Sequence, residues 1–313
     1  MSVASSAVPY ASYDLHLHTC WSYDATNEVE SYFRQARERG MRCLAITEHH
    51  NLDSLAENLP VAARYPNIRF IISAELTVHC SIGPVDLLCY GLPRQPAGKL
   101  AAVLEDYHQW QRDFGSAISR GMIAAGHDFG DDERLKLLRT YRPERAIAFQ
   151  GNTHVQVERL RQHFRQMGFT TNQPESFDQL MARADELVPR PHYPAAEKVI
   201  PAVKAAGAIV VIAHPAHYFQ NNDLKRMDTL RTELSLDGIE CAHPKVAPEL
   251  TTFYREYCCR HGLVSSGGSD SHDPSNLGLE TDSEFSRSVR FGVHRGAPEW
   301  LDELLERLPV TAP

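Results

Sequence analysis

The sequence predicts an α/β protein in which a helical insertion interrupts a sheet of parallel strands. Short apolar runs alternate with amphipathic helical runs in the first hundred residues and again in the last third. This alternation is typical of parallel strands with crossover helices, closed into a barrel or doubly wound. With 313 residues and 42% hydrophobic content, the chain can form one large α/β barrel or two ordinary domains.

The N-terminal part contains four predicted strands. "YDLHLHT" predicts the first, because the alternation of a strand places His16 and His18 on one face and the two leucines on the other. Residues 28–39 predict an amphipathic helix that ends at Gly40. "CLAITEH", "IRFIISAELTV" and "VDLLCYGL" predict the next three strands.

The middle of the chain differs from both ends, because it is polar, rich in Arg, Gln and His, and helical in pattern. The segment "VPRPHYP" then predicts a stiff return to a helix at about 195–206. "AIVVIAHP", "LDGIECAHP" and "LVSSGGSD" predict three further strands. We therefore expect a first barrel portion at 10–97, a helical cap insertion at 98–194 and a second barrel portion at 195–313.

Composition narrows the classes of function. Acidic residues outnumber basic ones by 40 to 32, and the net charge of −8 disfavours binding of long nucleic acid. A small anionic substrate stays possible, because bound metal ions can reverse the local sign of charge. "MSVASSAVPY" does not resemble a signal peptide, and "AAGAIVVIA" is too short to span a bilayer. We expect a cytoplasmic protein without membrane association; the sequence does not indicate an oligomeric state.

Candidate metal ligands recur where the predicted strands end. They are His16, His18, Glu48, His49, His50, Glu75, Asp86, His214, Asp270 and His272. One such histidine is more often structural, but functional groups of parallel α/β folds gather at the carboxyl ends of strands. Imidazole together with carboxylate suits Zn²⁺, Mn²⁺ or Fe²⁺ better than calcium. Asp237 and Glu240 end another strand, where capping or polar-core roles explain them equally well.

The motifs resemble those of the PHP (polymerase and histidinol phosphatase) superfamily. "DLHLHT", "TEHHN", the glutamate of "SAEL", the "AHP" of "VIAHPAHY" and "GSDSH" match the family motifs in order. The resemblance implies a distorted seven-stranded (β/α) barrel that holds two or three divalent ions, Mn, Zn or Fe, at its C-terminal mouth. The large insertion before the "AHP" strand is most similar to the stand-alone phosphoesterases of the family that act on nucleotides.

The resemblance also implies a set of metal ligands. They are His16, His18, Asp24, His49, Glu75, Asp86, His214, Asp270 and His272. Asp24 matches the aspartate of an "SDG" motif, although Ala25 follows it here. Asp86 stands where the family often has a histidine, and His79 is the alternative ligand.

The chemistry expected from this set is hydrolysis of a phosphate ester. A hydroxide that bridges two metals is a nucleophile near neutral pH, because the metal lowers the pKa of bound water to roughly 7. The leading prediction is thus a phosphoesterase for a small phosphorylated molecule, such as a nucleotide. Histidinol-phosphate phosphatase is the alternative, although "TEHH" and the large insertion disfavour it. A non-catalytic metal-binding PHP module is a second alternative, and it predicts eroded ligands.

Other residues are candidates for contacts with the substrate. His217 and His192 are the candidates for protonating the leaving alkoxide, a role that metal-bound water could also fill. In the insertion, Arg112 and His154 are the candidates for binding the substrate, since arginine suits bidentate anion recognition.

Overall fold

A seven-stranded sheet is the central feature of the computed structural model, which describes residues 10–169, 175–272 and 290–309. The strands follow one another in chain order across the sheet. Their bounds are β1 Tyr13–Leu17, β2 Cys43–His49, β3 Arg69–Cys80, β4 Gly83–Tyr90, β5 Ile209–Ile212, β6 Gly238–Ala242 and β7 Val264–Gly267. The predicted α/β class and the number of strands are confirmed.

Strand β4 runs against its neighbours, which corrects the expectation of parallel pairing. It pairs antiparallel with both β3 and β5, whereas the other four strand pairs are parallel. Only Ser81 and Ile82 separate β3 from β4. A parallel crossover needs a dozen or more residues, so this short connection can form only a hairpin.

The first strand is tied to the segment that follows the last one. An isolated parallel bridge joins Leu17 to Ser271. The Asp14 carboxylate accepts the backbone N–H groups of Ser269 and Gly292 at 2.9 and 2.8 Å. These contacts bring the residues that follow β7 beside the histidines of β1.

Within the described residues, six helices cover the sheet. They are α1 Val29–Glu38, α2 Leu55–Ala63, α8 Ala196–Ala205, α9 Leu224–Glu233, α10 Pro248–His261 and the C-terminal helix α11 Pro298–Arg307. Helix α1 shows why they form: Val29, Tyr32, Phe33 and Ala36 make one buried stripe at helical spacing. Gly40, with φ of +67°, follows the end of this helix as predicted.

Among the described residues, five helices lie between β4 and α8. They are α3 Gly98–Ala124, α4 Asp131–Arg139, α5 Glu144–Gln150, α6 Val157–Gln166 and α7 Phe177–Leu187. They bury an apolar cluster of their own that includes Phe129, Leu138 and Leu160. The structure contains no strand in the described residues 98–169 and 175–194, in agreement with the predicted helical pattern. The boundaries 10–97, 98–194 and 195–313 remain a prediction, and residues 273–289 and 310–313 of the third segment lie outside the described residues.

In the described part of the chain, no helix combines the length and the apolar character that a bilayer span requires.

Candidate metal centre

Glu75, in the middle of β3, lies at the centre of the site. Its Oε2 is 3.3 Å from Nε2 of His16, 3.3 Å from Nε2 of His18 and 3.1 Å from Nδ1 of His49. Its Oε1 is 3.3 Å from Nε2 of His214. One buried carboxylate thus reaches histidines from three other segments.

Three histidines form one side of the site. The ring of His18 stacks on those of His49 and His272, with centroids 4.2 and 4.3 Å away. Asp24 Oδ2 lies 3.4 Å from Nε2 of His49 and 3.3 Å from Nε2 of His272. The "DLHLHT" strand, the loop after it and the "GSDSH" segment therefore meet here.

Asp86 lies on the other side of Glu75, with His214. Its Oδ2 is 3.6 Å from Nε2 of His214. Because β4 is antiparallel, Asp86 reaches the site from near the start of its strand rather than from the downstream end that we expected. Thr77 and Tyr218 donate hydrogen bonds of 2.5 and 2.6 Å to its two oxygens.

The alternative ligand, His79, lies apart from this cluster. Its backbone N–H donates to Pro194, and its ring lies 5.2 Å from that of His192. Among the described residues, His79 belongs to none of the groups whose candidate ligand atoms converge. The structure therefore places all nine predicted ligands together and leaves His79 outside.

Asp270 approaches β1 because a glycine precedes it by two residues. A Cβ atom at Gly268 would lie 2.3 Å from Cβ of His16, so only glycine fits between the two segments. The backbone N–H of Asp270 then donates to the carbonyl of His16 at 2.9 Å. Asp270 Oδ1 lies 3.4 Å from Nε2 of His16 and 3.5 Å from Nε2 of His18.

The backbone is strained at three ends of strands. His50, His214 and Asp270 have positive φ angles of 62°, 26° and 56°. Residues with side chains seldom adopt this left-handed region, and such strain gathers at functional sites. At each of these positions, the chain turns sharply beside a candidate ligand.

Strand β6 and the residue that follows it contribute two side chains that the sequence did not assign to the site, Glu240 and His243. Glu240 is fully buried, and its Oε1 lies 2.9 Å from Nδ1 of His16. A candidate ligand atom of His243 lies close to those of His16 and Asp270. A signal was available, because "AHP" occurs twice, at 213–215 and at 242–244, each time at the end of a strand.

The hydrogen bonds of His243 define its tautomer. Its Nδ1 accepts the backbone N–H of Lys245 at 2.9 Å. A neutral imidazole that accepts at Nδ1 carries its proton on Nε2. That Nε2 lies 3.4 Å from Asp270 Oδ2.

Glu48 supports the loop that carries Asp24. Its carboxylate accepts the backbone N–H of Thr19 at 3.1 Å and the hydroxyl of Ser22 at 2.5 Å. These contacts direct it toward the backbone of the loop between His18 and Asp24. Of the "TEHHN" motif, His49 is the residue that faces Glu75.

Charges of opposite sign perturb one another across the site. Burial alone would lower the pKa of His16, but the carboxylates of Glu240, Glu75 and Asp270 raise it well above its usual value. Burial alone would raise the pKa of Glu75, yet His16 and His49 hold it well below its usual value. The imidazoles and carboxylates of the site thus favour one another's charged forms.

The donor set suits divalent transition-metal ions. His18 Nε2 and Asp24 Oδ1 are buried without a hydrogen-bond partner, as expected for atoms that face a cation. Candidate ligand atoms converge in four groups among the described residues. These are His18 with His49 and His272; His16 with His18 and Glu75; Glu75 with Asp86 and His214; and His16 with His243 and Asp270. Mixed imidazole and carboxylate donors match Zn²⁺, Mn²⁺ or Fe²⁺.

The two predicted acids and the predicted substrate contact Arg112 have neighbours outside the nine predicted ligands. His217 and His192 are both exposed, and their rings contact Tyr218 and His79, respectively. Arg112 donates to Glu105 and Gln109 of its own helix.

Of these four predicted residues, His154 in the insertion lies nearest to the cluster. Its ring is buried 4.0 Å from that of Tyr23, which in turn lies 5.2 Å from the ring of His49. Burial lowers the pKa of His154 to about 3, so its imidazole is neutral. The substrate and acid roles of these four residues stay predictions.

The chain is similar to several known proteins. The family model of the PHP domain matches residues 14–193. A 3',5'-nucleoside bisphosphate phosphatase of Chromobacterium violaceum is 28% identical over 278 residues, which cover 86% of this chain and 90% of that protein.

Two solved structures have the same overall fold. One, a candidate metal-dependent phosphoesterase of Bifidobacterium adolescentis, has a TM-score of 0.70 and 21% identity, with 96% of this chain and 98% of that chain covered. The other, an amidohydrolase of Chromobacterium violaceum with bound sulfate and no metal, has a TM-score of 0.68 and 22% identity. That match covers 95% of this chain and 97% of the other.

Proposed function

Because the chain belongs to the PHP domain family, we propose that it is a metal-dependent phosphoesterase that acts on a small phosphorylated molecule, specifically a nucleotide. The observation that carries this proposal is the position of Glu75, whose carboxylate lies 3.1 to 3.3 Å from nitrogens of four histidines. Such a bridging position suits two neighbouring cations, which is the arrangement used for in-line displacement at phosphorus.

The nine converging side chains would hold two or three Mn, Zn or Fe ions. His18, His49, His272 and Asp24 would serve one ion, and Asp86 and His214 another, with Glu75 between them. When bound, the ions would acidify water towards neutral pH and offset the charge of the phosphoryl oxygens. The carboxylates keep the ligand set anionic, and the surrounding strands hold the imidazoles in place.

Lys245 provides a positive charge at the rim of the site. Its Nζ lies 3.8 Å from Asp270 Oδ2, and its side chain is 45% exposed. An ammonium group in this position can attract the phosphate of a substrate and orient it towards the carboxylate cluster. His217 and His192 remain the candidates for protonating the leaving group.

A nucleotide is supported by two observations. The relative with 28% identity is a phosphatase named for 3',5'-nucleoside bisphosphates. Beside His49, Tyr23 provides a partly exposed aromatic ring on which a base could stack. Arg112 and His154 are the proposed contacts of the insertion with the rest of the substrate.

The proposed architecture is a distorted barrel with a helical cap over residues 98–194. Closure is supported by the bridge between Leu17 and Ser271. The cap is supported by the hydrogen bond of 2.9 Å that the Tyr141 hydroxyl donates to the carbonyl of Tyr23. The cap would thereby cover the side of the site where Asp24 lies.

A substrate screen on metal-loaded protein tests the function. Phosphate release would be measured with mononucleotides, nucleoside bisphosphates, a phosphodiester and histidinol phosphate. We expect metal-dependent release from a nucleotide, and no release by Glu75→Gln. Asp237→Asn is the matched control, because this carboxylate binds Lys204 and lies away from the site.

The alternatives give different results in the same screen. Preferential hydrolysis of histidinol phosphate would support the alternative phosphatase. Metal binding without any hydrolysis would support a non-catalytic module.

A further inference from the structure

Glu240 connects two candidate ligands that come from different strands. Its Oε1 lies 2.9 Å from Nδ1 of His16 in β1. Its Oε2 accepts the backbone N–H of His214, two residues past the end of β5, at 2.7 Å. The carboxylate is fully buried, so these contacts are made away from solvent.

The contact with His16 selects one tautomer of the ring. A histidine that binds a metal must be neutral, and an ionised carboxylate only accepts hydrogen bonds, so the proton of His16 as a ligand must be on Nδ1. The lone pair is then on Nε2, which lies 3.3 Å from Glu75 Oε2 and 3.4 Å from Asp270 Oδ1. A histidine that donates its second ring N–H to a carboxylate is held in the orientation and tautomer that a cation requires.

The contact with His214 holds a strained turn. His214 has a φ angle of +26°, which a residue with a side chain adopts only when its surroundings impose it. The bond from its N–H to Glu240 fixes the backbone at this point. The ring of His214 is then directed so that its Nε2 lies 3.3 Å from Glu75 Oε1.

We propose that Glu240 is a positioning residue of the metal centre, which fixes the tautomer of His16 and the turn at His214 so that both rings present Nε2 beside Glu75. This inference rests on the proposed function only in assuming that the site binds divalent cations. It assigns to Glu240 a role in building the site, without direct contact to the substrate.

Asp237 provides a matched control from the same part of the chain. It lies three residues before Glu240, and its Oδ2 accepts the backbone N–H of Val210 at 2.8 Å. Both of its oxygens accept from Lys204. Each of the two carboxylates thus binds a backbone N–H in or just after β5, but only that of Glu240 also contacts a candidate ligand ring.

The decisive substitution is Glu240→Gln, which keeps the shape of the side chain. Glutamine has one accepting oxygen and one donating nitrogen, so it cannot accept from both His16 and the His214 N–H. Metal-free protein would be titrated with Mn²⁺ and Zn²⁺ by calorimetry, and with Co²⁺ by visible absorption. We expect an affinity about 10- to 100-fold lower for part of the bound metal and a changed Co²⁺ spectrum. Asp237→Asn should lower the thermal midpoint and leave the metal affinity and the spectrum unchanged.

A double substitution tests whether Glu240 acts through His16. In a His16→Asn background, Glu240→Gln should cause a smaller further loss of affinity, because the contact with His16 is already absent and only the contact with the His214 N–H is left to lose. A full additional loss in that background, or wild-type affinity in Glu240→Gln, would overturn the proposal. If Glu240→Gln does not fold, the titration is made on Glu240→Asp, whose shorter carboxylate cannot keep both contacts; wild-type affinity in that variant would equally overturn it.

The same titrations separate this inference from the proposed function. Wild-type protein that binds metal but hydrolyses no phosphate ester would contradict the function and leave the role of Glu240 intact. Unchanged metal binding in Glu240→Gln would contradict the role of Glu240 whatever the protein hydrolyses.

Discussion

Glu75 Oε2 lies 3.1 Å from Nδ1 of His49, its direct partner in the parallel register of β3 and β2. This pairing places a carboxylate of one strand next to an imidazole of the adjacent strand, in a site that also collects His16, His18 and His214. The sheet itself therefore sets the spacing of the most central ligands.

Glu75→Gln should remove most of the bound metal and the activity. The amide has the same shape but no charge, and it cannot bridge two cations through two anionic oxygens. We expect the metal affinity and the activity to fall by more than the roughly 10- to 100-fold that is typical when a residue that only supports a ligand is replaced. Metal content by mass spectrometry and the rate of phosphate release measure it. Retention of the full metal content would show that Glu75 is not a bridging ligand.

Asp86→Ala should lose one metal ion per chain and most of the activity. Glu75 and His214 alone would hold that ion loosely. His79→Ala is the control, and it should keep the wild-type metal content. Asp86→His should restore an active protein, because it supplies another ligand on the same strand. The reverse pattern, with metal lost in His79→Ala only, would mean that the ninth ligand has been misassigned.

Removal of the metals should destabilise the folded chain. Cations that bind only the folded state stabilise it by about 2.7 kcal/mol when their free concentration is 100-fold above Kd. Differential scanning calorimetry should therefore show a thermal midpoint that falls with a chelator and rises with added Mn²⁺ or Zn²⁺. A midpoint that does not respond to either addition would argue against metal binding by the folded protein.

Lys245→Ala should raise KM for the phosphorylated substrate by about 10-fold, the effect of losing roughly 1.4 kcal/mol of binding. The metal content should not change, since Lys245 offers no lone pair to a cation when protonated. Lys245→Arg should retain part of the affinity, because it keeps the charge. A loss of metal in Lys245→Ala would instead indicate that the lysine stabilises the position of Asp270.

The hydrogen bond between His108 of α3 and Asp53, which lies between β2 and α2, should stabilise the packing of α3 on this part of the chain most strongly at low pH. His108 Nε2 donates a hydrogen bond to Asp53 Oδ2, 3.0 Å away, and this bond raises the pKa of His108 above its usual value of 6.5. Because the pKa of His108 is higher in the folded state than in the unfolded state, protonation of His108 stabilises the folded state. This stabilisation is fully present below about pH 6.5 and is lost as the pH rises through the folded-state pKa. Urea unfolding of His108→Gln should thus show a deficit of roughly 1 kcal/mol at low pH that shrinks at high pH.

Asp53→Asn gives the control for that prediction. Without the carboxylate, the His108→Gln substitution should no longer produce a pH-dependent deficit in the free energy of unfolding. A deficit that persists in the Asp53→Asn background would mean that another group is responsible.

Much of the secondary structure and most of the candidate site could be predicted because the signals are local. The helix predicted at 28–39 is Val29–Glu38 in the structure, since its buried stripe follows from residue spacing alone. His16 and His18 were recognisable as a pair, because alternation along a strand puts them on one face. Residue types at the ends of strands also indicated the ligands, since carboxylates and imidazoles there are poorly suited to an apolar core.

The sequence by itself determined the α/β class, the order of the elements and the nine candidate ligands, whereas the tertiary structure decided the direction of β4 and the partners of the ligands. Alternation looks the same in a parallel and an antiparallel strand, so Asp86 could not be assigned to the start of its strand beforehand. Glu240 is separated from His16 by 224 residues, and no local pattern specifies that contact. It arises because the folded sheet brings β1 and β6 to one interior, where a buried carboxylate must find donors.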